Sequence, residues 1–405
     1  MRLANLRHLH AFREVARLGS FSAAARAVHI SQPAMTQAIG GLERFFGSPL
    51  LQRHPTGVTL TPVGELCLSR IERSMTQLEA ALSEATGSAT NILRRVRSNQ
   101  LDALGAVVEH GNFSLAARAR RISQPSIHRS ARDLEKLLGT ALFEKTSFGV
   151  TPTRDAENLA RRARLALAEI EQARAEVHAL KGADCGRTVI GALPLARSYL
   201  LPAALLEFTQ LHPKHGVAII EGTYEHLLSG LRSGESDVLI GALRNPAPAA
   251  DVIQEHLFDD PLAIVCRADH PLTRRRVTVS ALRKYQWIAP RTGSPLRVHF
   301  DSLMSSAGLD LELPPLECGS LAAARAFLLE SDRIMLMSAH QIHYEMQAGV
   351  LVALPHPAGK VVRPIGLTLR KGWHPTANQN TLLYILRRSA RAAAASHASL
   401  RLGPD

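Results

Sequence analysis

The sequence is short of the residues and patterns that would mark an exported protein, a membrane protein or a familiar enzyme. Its four cysteines, Cys67, Cys185, Cys266 and Cys318, stand far apart in 405 residues. None forms a metal-type pair, and their scatter predicts a reducing compartment. A redox sensor and an inert buried thiol are both open readings for any one of them, the second being the commoner case. No uninterrupted apolar run reaches membrane-spanning length. The N-terminus, MRLANLRHLHAFREV, carries charges at helical spacing and lacks the apolar core of a signal peptide. A cytoplasmic location and no membrane partner are expected. Also missing are a nucleophile elbow, a P-loop and any metal-ligand spacing, so no catalytic residue, cofactor or metal is assigned.

What is present is a globular composition, 46% apolar and 20% charged. The length suits three or four domains rather than one core. The formal net charge is +13; residues 1–185 hold 25 Lys/Arg against 17 Asp/Glu, and the remainder 23 against 18. Such a chain favours a polyanion partner, although a basic soluble enzyme would look the same by composition.

The tetrapeptide Ile-Ser-Gln-Pro occurs at residues 30–33 and again at 122–125. A constant offset of 92 residues relates Phe21 to Phe113, Leu42-Glu43 to Leu134-Glu135, Gly47 to Gly139 and Gly57-Val58-Thr59 to Gly149-Val150-Thr151. An ungapped match of this length is an internal duplication.

In the first copy, Leu6, Leu9, Phe12, Val15 and Ala16 recur on one helical face, and Gly19 ends the helix. Ser20 or Ser22 can cap a second helix. Ser31 caps a third, with Pro33 in its first turn, where the missing N–H costs nothing. That helix puts Met35, Ile39, Leu42 and Phe46 on one side and Gln32, Thr36, Gln37 and Gly40 on the other. A two-stranded wing follows through Arg53 and the turn Pro55-Thr56-Gly57. Two short helices joined by a tight turn have helix-turn-helix geometry, in which a Gln can read adenine and a Thr a thymine methyl. A small helical bundle with a solvated polar face is the other reading.

The segment GSFSAAARAVHISQPAMTQAIGGLERFFGSPLLQRHPTGVTLTPVGE resembles the winged helix-turn-helix of LysR-type transcriptional regulators. The resemblance rests on the Ala-Ala pair, Ser-Gln-Pro, Leu-Glu, Gly-x-Pro-Leu and the wing running into Leu-Thr-Pro-x-Gly. It implies that Ser31, Gln32, Pro33, Ala34, Thr36, Gln37 and Arg53 face double-stranded DNA. Leu51-Gln52-Arg53 stands where Phe-x-Arg is usual, an apolar exchange. It further implies that the helix beginning at Pro62, with Leu66, Leu68, Ile71, Met75, Leu78 and Leu82 as its stripe, pairs antiparallel with its copy in a dimer. A helix packed within its own chain is the alternative. Thr86–Thr90 then reads as a flexible break.

Where family members would continue into a ligand domain, the second copy follows. Its exposed set, aligned on the first, is Ser123, Gln124, Pro125, Ser126, His128, Arg129, Arg132 and Lys145, with Arg120 and Arg121 in the turn. This is the more basic copy, suited to phosphate neutralisation. Its wing exit, Thr151-Pro152-Thr153-Arg154, has lost the Leu-Thr-Pro-x-Gly form, which leaves the junction open. Either both copies bind DNA, the favoured reading, or one serves dimerisation or spacing.

A second long helix covers about 153–181. From Gly186 onward strands and helices alternate, predicting a mostly parallel α/β sheet. Its strands are 187–192, 217–221, 237–242, 262–267, 287–290, 316–318, 334–338 and 365–369, with a helix from Tyr199 capped by Ser198 and a last helix at about 375–393. The two halves resemble the periplasmic-binding-protein-like effector domain of the same family. The expected fold is therefore α+β multidomain: winged helix 1–60, linker 61–90, winged helix 91–152, linker helix 153–185, effector subdomains 186–262 plus 361–393 and 263–360, and a disordered tail 394–405. Ligands of such sheets lie at the carboxyl ends of strands. That selects Leu193, Pro194, Ser198, Gly222, Thr223 and Leu243 in one half, and Arg291, Thr292, Gly293, Ser294, Gly319, Ser320 and Ser338 in the other. A small organic anion, aromatic acid or sugar is the expected effector.

The sequence thus predicts a DNA-binding regulator, not an enzyme, forming a homodimer or homotetramer, with RNA polymerase as a further partner. Ligand closure of the effector halves would rotate the DNA-reading units. The alternative is a small-ligand-binding α/β protein or enzyme in which one helix-turn-helix copy serves oligomerisation.

Overall fold

The structure is a computed structural model that describes residues 5–55, 57–86, 90–147, 149–183, 186–306, 308 and 313–399. The expected break at residues 87–89 and Cys185 lie outside the described residues. The chain divides into two compact units, Met1–Arg187 and Thr188–Asp405.

The first unit opens with α1 (Leu6–Leu18), capped by Asn5 and closed by Gly19 at φ 62°. Ser20, not Ser22, caps α2 (Phe21–Ala27). Ser31 accepts from the Ala34 N–H to start α3 (Gln32–Phe46), which Gly47 closes at φ 70°. Strands β1 (Leu51–His54) and β2 (Gly57–Leu60) form the hairpin wing, and α4 (Pro62–Thr86) leaves it. After the short α5 (Thr90–Leu93), the same series returns as α6 (Ser98–His110), α7 (Phe113–Arg120), α8 (Gln124–Leu138), β3 (Phe143–Thr146), β4 (Gly149–Pro152) and α9 (Arg154–Leu180).

The equivalence extends to single interactions. His29 and Arg121, 92 residues apart, are the two non-glycine residues with positive φ, 59° and 55°, among the described residues. Each turns the chain into its third helix. Glu43 of the Leu-Glu pair accepts the Leu50 N–H at 2.9 Å. Glu135 accepts those of Leu142 and Phe143 at 2.9 and 3.2 Å. A carboxylate at this position thus ties each third helix to the start of its wing.

The altered wing exit keeps its junction. The Thr61 hydroxyl donates to the Pro49 carbonyl at 2.9 Å and accepts the Gly64 N–H at 2.9 Å. The Thr153 hydroxyl does the same with the Ala141 carbonyl at 3.3 Å and the Ala156 N–H at 3.2 Å. The looser second junction houses the buried Ala156 methyl. At Gly64 a Cβ would lie 2.0 Å from the Leu50 carbonyl oxygen.

The linker implied to pair with another chain instead packs within this one. Helices α4 and α9 lie antiparallel, with Arg70 near the start of α4 bonded to Glu169 and Glu176 late in α9, at 3.0 and 2.8 Å. At the opposite end Asn158 and Arg162 hold Glu84. Cys67, Ile71, Met75, Leu78 and Leu82 of α4 and Leu159, Ala163, Ala166, Ile170 and Val177 of α9 are buried in one core with both winged helices. Alanines on α9 allow the close approach that the larger α4 stripe fills.

The second unit holds β5 (Arg187–Ala192), α10 (Pro194–Ser198), α11 (Leu200–Leu211), β6 (Gly216–Ile220), α12 (Tyr224–Ser233), β7 (Val238–Ala242), β8 (Val252–Arg267), α13 (Val279–Leu282), β9 (Trp287–Pro290), α14 (Pro295–Ser306), β10 (Leu316–Cys318), α15 (Leu321–Leu329), β11 (Ile334–Ser338), α16 (His343–Gln347), β12 (Leu351–Leu354), β13 (Val362–Arg370) and α17 (Ala377–Ser399). The strand order is β10-β9-β11-β8-β13-β7-β5-β6, with β12 beside β8.

The sheet is mixed rather than mostly parallel. Strands β5–β7, β9–β10 and β9–β11 pair parallel. The long β8 runs antiparallel to β11, β12 and β13, and β13 antiparallel to β7. Residues 252–261, where no strand was expected, open the long β8; His256, Asp259 and Asp260 break the apolar alternation that would have marked them. The first helix is split: Pro194 nucleates α10, so Ser198 ends that helix, and its hydroxyl bonds back to the Pro194 carbonyl at 3.3 Å instead of capping the next one. Residues 394–399 continue α17 rather than fraying, on the helix-forming run RAAAA.

Candidate nucleic-acid interface and ligand cavity

In the first copy Met35, Ala38, Ile39 and Leu42 anchor α3 in the core. Ser31, Gln32, Pro33, Thr36 and Gln37 are thereby left exposed, with Ala34 half-buried. The Arg53 guanidinium lies 4.8 Å from the centroid of the Phe21 ring, which carries its stem from the wing back toward the head of α2.

In the second copy Ile127, Ala131 and Leu134 anchor α8, and Ser123, Gln124, Pro125, Ser126, His128 and Arg129 are exposed. Ser123 does not cap with its side chain; its hydroxyl meets that of Ser126 at 2.7 Å. Gln124, His128 and Arg132 line one wall of a groove of about 280 Å³ whose other wall includes Lys145 and Thr146 of the wing. His128 stands edge-on to Phe113 at 5.1 Å. Two charges that made this copy look more basic are engaged internally. Arg120 pairs with Asp102 at 3.0 Å and Glu109 at 3.8 Å, and Arg132 with Glu135 at 2.6 Å. Arg129 and Lys145 form no such pair among the described residues.

The second unit contains a cavity of about 720 Å³ at the carboxyl ends of β5, β6, β7, β9 and β10. Leu193, Pro194, Gly222, Thr223, Arg291, Thr292, Gly293, Ser294, Gly319 and Ser320 are on its wall. Ser198, Leu243 and Ser338 are not. Ser198 is turned to its own helix, the Leu243 N–H is spent on the Pro364 carbonyl, and buried Ser338 donates to the Asp260 carboxylate. The N-terminal turns of α12, α14 and α15 line the cavity through Thr223 and Tyr224, Pro295 and Leu296, and Ser320 and Leu321, and the positive end of a helix dipole favours an anion.

Sequence reasoning missed Arg197, Glu221, Tyr224, Arg244 and Arg363 on the wall. Glu221 stands immediately before Gly222, Tyr224 immediately after Thr223 and Arg244 immediately after Leu243, so a window wider by one residue at each strand end includes them. Arg363 comes from β13, more than 100 residues away, without a local signal. It is bound to Asp260 at 2.7 Å, and Arg197 is bound to Glu221. Arg244 and Arg291 have no carboxylate partner among the described residues, and the Arg244 guanidinium lies 4.4 Å from the Tyr224 ring centroid. Burial raises the Tyr224 phenol above its usual value, so it stays protonated and can donate. Glu317, held below the usual carboxylate range chiefly by the Thr292 hydroxyl, fixes the loop after β9.

Burial pushes the Cys67 and Cys266 thiols up to about 12, so neither is a thiolate at neutral pH. Among the described residues no cluster of His, Cys, Asp and Glu could hold a metal ion, and no helix is long and apolar enough to cross a membrane.

The family model "Bacterial regulatory helix-turn-helix protein, lysR family" matches twice, at residues 6–65 and 98–157, and "LysR substrate binding domain" matches 181–391. The HTH-type transcriptional regulator GalR of Pseudomonas putida is 35% identical over 370 residues, 91% of this chain and 93% of that protein. That alignment leaves too little of the chain uncovered to omit either copy. The HTH-type transcriptional regulator PcaQ of Agrobacterium fabrum is 29% identical over 73% of this chain and 96% of its own. Among solved structures, a full-length variant of OxyR from Pseudomonas aeruginosa shares the fold, with TM-score 0.52 and 23% identity over 73% of this chain and 94% of its own. CbnR complexed with its target DNA does so at TM-score 0.50 and 20% identity, over 72% and 99%.

Proposed function

The chain belongs to the LysR-type transcriptional regulators, DNA-binding proteins with an effector-binding domain, and we propose that both of its winged helices read duplex DNA while its cavity takes a small organic anion. For the first copy the proposed contacts are Ser31, Gln32, Pro33, Ala34, Thr36, Gln37 and Arg53. For the second they are Ser123, Gln124, Pro125, Ser126, His128, Arg129 and Lys145, with Arg132 reaching DNA only by leaving Glu135. The observation that supports two readers is that neither copy has lost its exposed third-helix face or the carboxylate that ties that helix to its wing. The domain limits set out from the sequence go with this reading, except that the last helix continues to residue 399. So do a cytoplasmic location, an oligomer of chains and contact with RNA polymerase.

The anion rests on Arg244 and Arg291, two guanidiniums without carboxylate partners among the described residues, beside helix N-termini. Tyr224 adds an aromatic face and a donor, which suits an aromatic carboxylate over a sugar. Thermal shift and calorimetry with benzoate, hydroxybenzoates, sugar acids and their uncharged amides test this. Carboxylates are expected to raise the melting temperature, and Arg244→Gln to remove the shift. Equal response to the neutral amides, unchanged in Arg244→Gln, overturns the anion. Footprinting of Thr36→Ala/Gln37→Ala and His128→Ala/Arg129→Ala tests the two readers; a copy whose variant changes nothing is not reading DNA.

A further inference from the structure

Helices α4 and α9 are equivalent under the 92-residue offset, and they pack antiparallel on each other. Two equivalent helices in that arrangement are related by a two-fold axis across their contact. The ion pairs show the axis residue by residue. Arg70 of α4 binds Glu176 of α9. The offset turns Arg70 into Arg162 and Glu176 into Glu84, and Arg162 binds Glu84. When a residue of one copy meets a residue of the other, their equivalents also meet, which is how a two-fold interface between identical subunits is built.

The same exchange holds around the pair. Helix α1 rests on α4 as α6 rests on α9, and α3 touches α9 as α8 touches α4. The ends of the pair are held in similar places by bonds that are not equivalents: Lys181 after α9 donates to the Gly47 carbonyl after α3, and Thr140 after α8 donates to the Ala85 carbonyl near the end of α4 at 3.5 Å. The first unit is therefore a dimer of winged helices made within one chain.

We propose that one chain reads one asymmetric, bipartite DNA site whose two elements are unlike in sequence and inverted in orientation. The inference rests on the DNA-binding reading above. B-DNA has a local two-fold axis at every base pair, and a protein with two helix-turn-helix units about a two-fold places them in successive major-groove segments, about 10 base pairs or a multiple apart. An identical pair selects a palindrome by symmetry. Here the frame is symmetric and the reading faces are not. One presents Thr36 and Gln37, suited to thymine and adenine edges; the other presents His128 and Arg129, suited to guanine. The elements must then differ, and the second copy of the reader comes from the same polypeptide.

The experiment is selection from a random duplex pool with the full chain at fixed salt, followed by titration of the selected duplex. The expected result is two unlike elements in inverted orientation and one duplex bound per chain at saturation, whatever the oligomeric state. Thr36→Ala/Gln37→Ala should randomise one element only, and His128→Ala/Arg129→Ala the other only. Thr36→His/Gln37→Arg, which gives both helices the same exposed pair, should shift the selected site toward a palindrome. A palindrome or direct repeat from the natural chain, one duplex per two chains, or both alanine pairs acting on the same element overturns the inference. No enrichment at any salt overturns the DNA-binding reading itself.

Discussion

Glu43 and Glu135 accept the equivalent N–H groups of Leu50 and Leu142, Thr61 and Thr153 bond equivalent partners at the two junctions, and Gly47 and Gly139 end their helices at the same φ of 70°. The two winged helices differ instead in what they show to solvent and in how tightly their long helices leave the wing. The carboxylates and threonines that tie each wing to its helices are alike in the two copies, while the exposed pair Thr36-Gln37 has become His128-Arg129; the helix caps have also changed, Asn5 and Ser20 of the first copy answering to Arg97 and Asn112 of the second. A backbone N–H left unbonded in the core costs more than an exposed side chain exchanged in water, and a cap can be exchanged for another that still accepts the same N–H groups.

Breaking the comparison is easiest where equivalent residues carry unequal loads. Arg70→Ala strips two carboxylates of a guanidinium that is 4% exposed, and should cost about 3–5 kcal/mol in urea unfolding. Its equivalent Arg162→Ala removes a partner of Glu84, whose side chain is 47% exposed, and should cost under about 1 kcal/mol. Equal losses would mean that the two ends of the α4–α9 pair are energetically alike.

Next comes the wing exit. Gly64→Ala drives a methyl into the Leu50 carbonyl, 2.0 Å from the ideal Cβ, and should cost about 3 kcal/mol as the junction is forced open. Ala156→Gly at the equivalent site should cost about 1–2 kcal/mol, from helix propensity and the loss of one buried methyl. Thermal melts of the two variants decide it, and a harmless Gly64→Ala would show that the first junction can relax to the second's geometry.

The reading faces give a smaller effect. Lys145→Ala in the second wing should flatten the slope of log affinity against log salt by about one unit, as one phosphate contact is lost. Gln37→Ala should leave that slope unchanged and alter base preference. Identical slopes for the two variants would remove the distinction between grip and reading.

Smallest is a pH effect in the second unit, which serves as a control that the first unit's differences are its own. His270 accepts the Leu272 N–H on Nδ1 at 3.0 Å, and its Nε2 faces the Asp332 carbonyl at 3.2 Å, so the ring is neutral with its proton on Nε2. Burial lowers its pKa. The folded chain then binds fewer protons than the unfolded one between the lowered value and the ordinary imidazole value of about 6.5. Stability is complete above that ordinary value and falls as pH drops through the interval. Unfolding from pH 7.5 to 5 should show this loss reduced in His270→Gln; an unchanged pH profile sinks the assignment.

The winged helices were legible because their signals are local. Ser31 with Pro33, the closing glycines and the apolar faces lie within one or two turns of what they specify. The pairing of α4 with α9 was not legible, since an apolar stripe fits a partner in another chain as well as one in its own. Arg70 and Glu176 lie 106 residues apart, and only folding shows that they meet. In the cavity, glycines and hydroxyls at strand ends were readable from the alternation that precedes them. Arg363 was not, because it enters from the return strand β13. Ser198 misled for a definite reason: Pro194 starts a helix four residues earlier, so the serine that looks like a cap is already inside one.

Because α4 and α9 are tethered, their association has no dilution limit. Two separate chains meeting through such helices would come apart as their concentration fell, and their joint hold on DNA would rise with the square of concentration. Here the second winged helix is always present at the effective concentration its tether sets, so occupancy of a bipartite site follows the number of chains linearly. A cell could therefore hold this protein at few copies without losing the cooperation of its two readers.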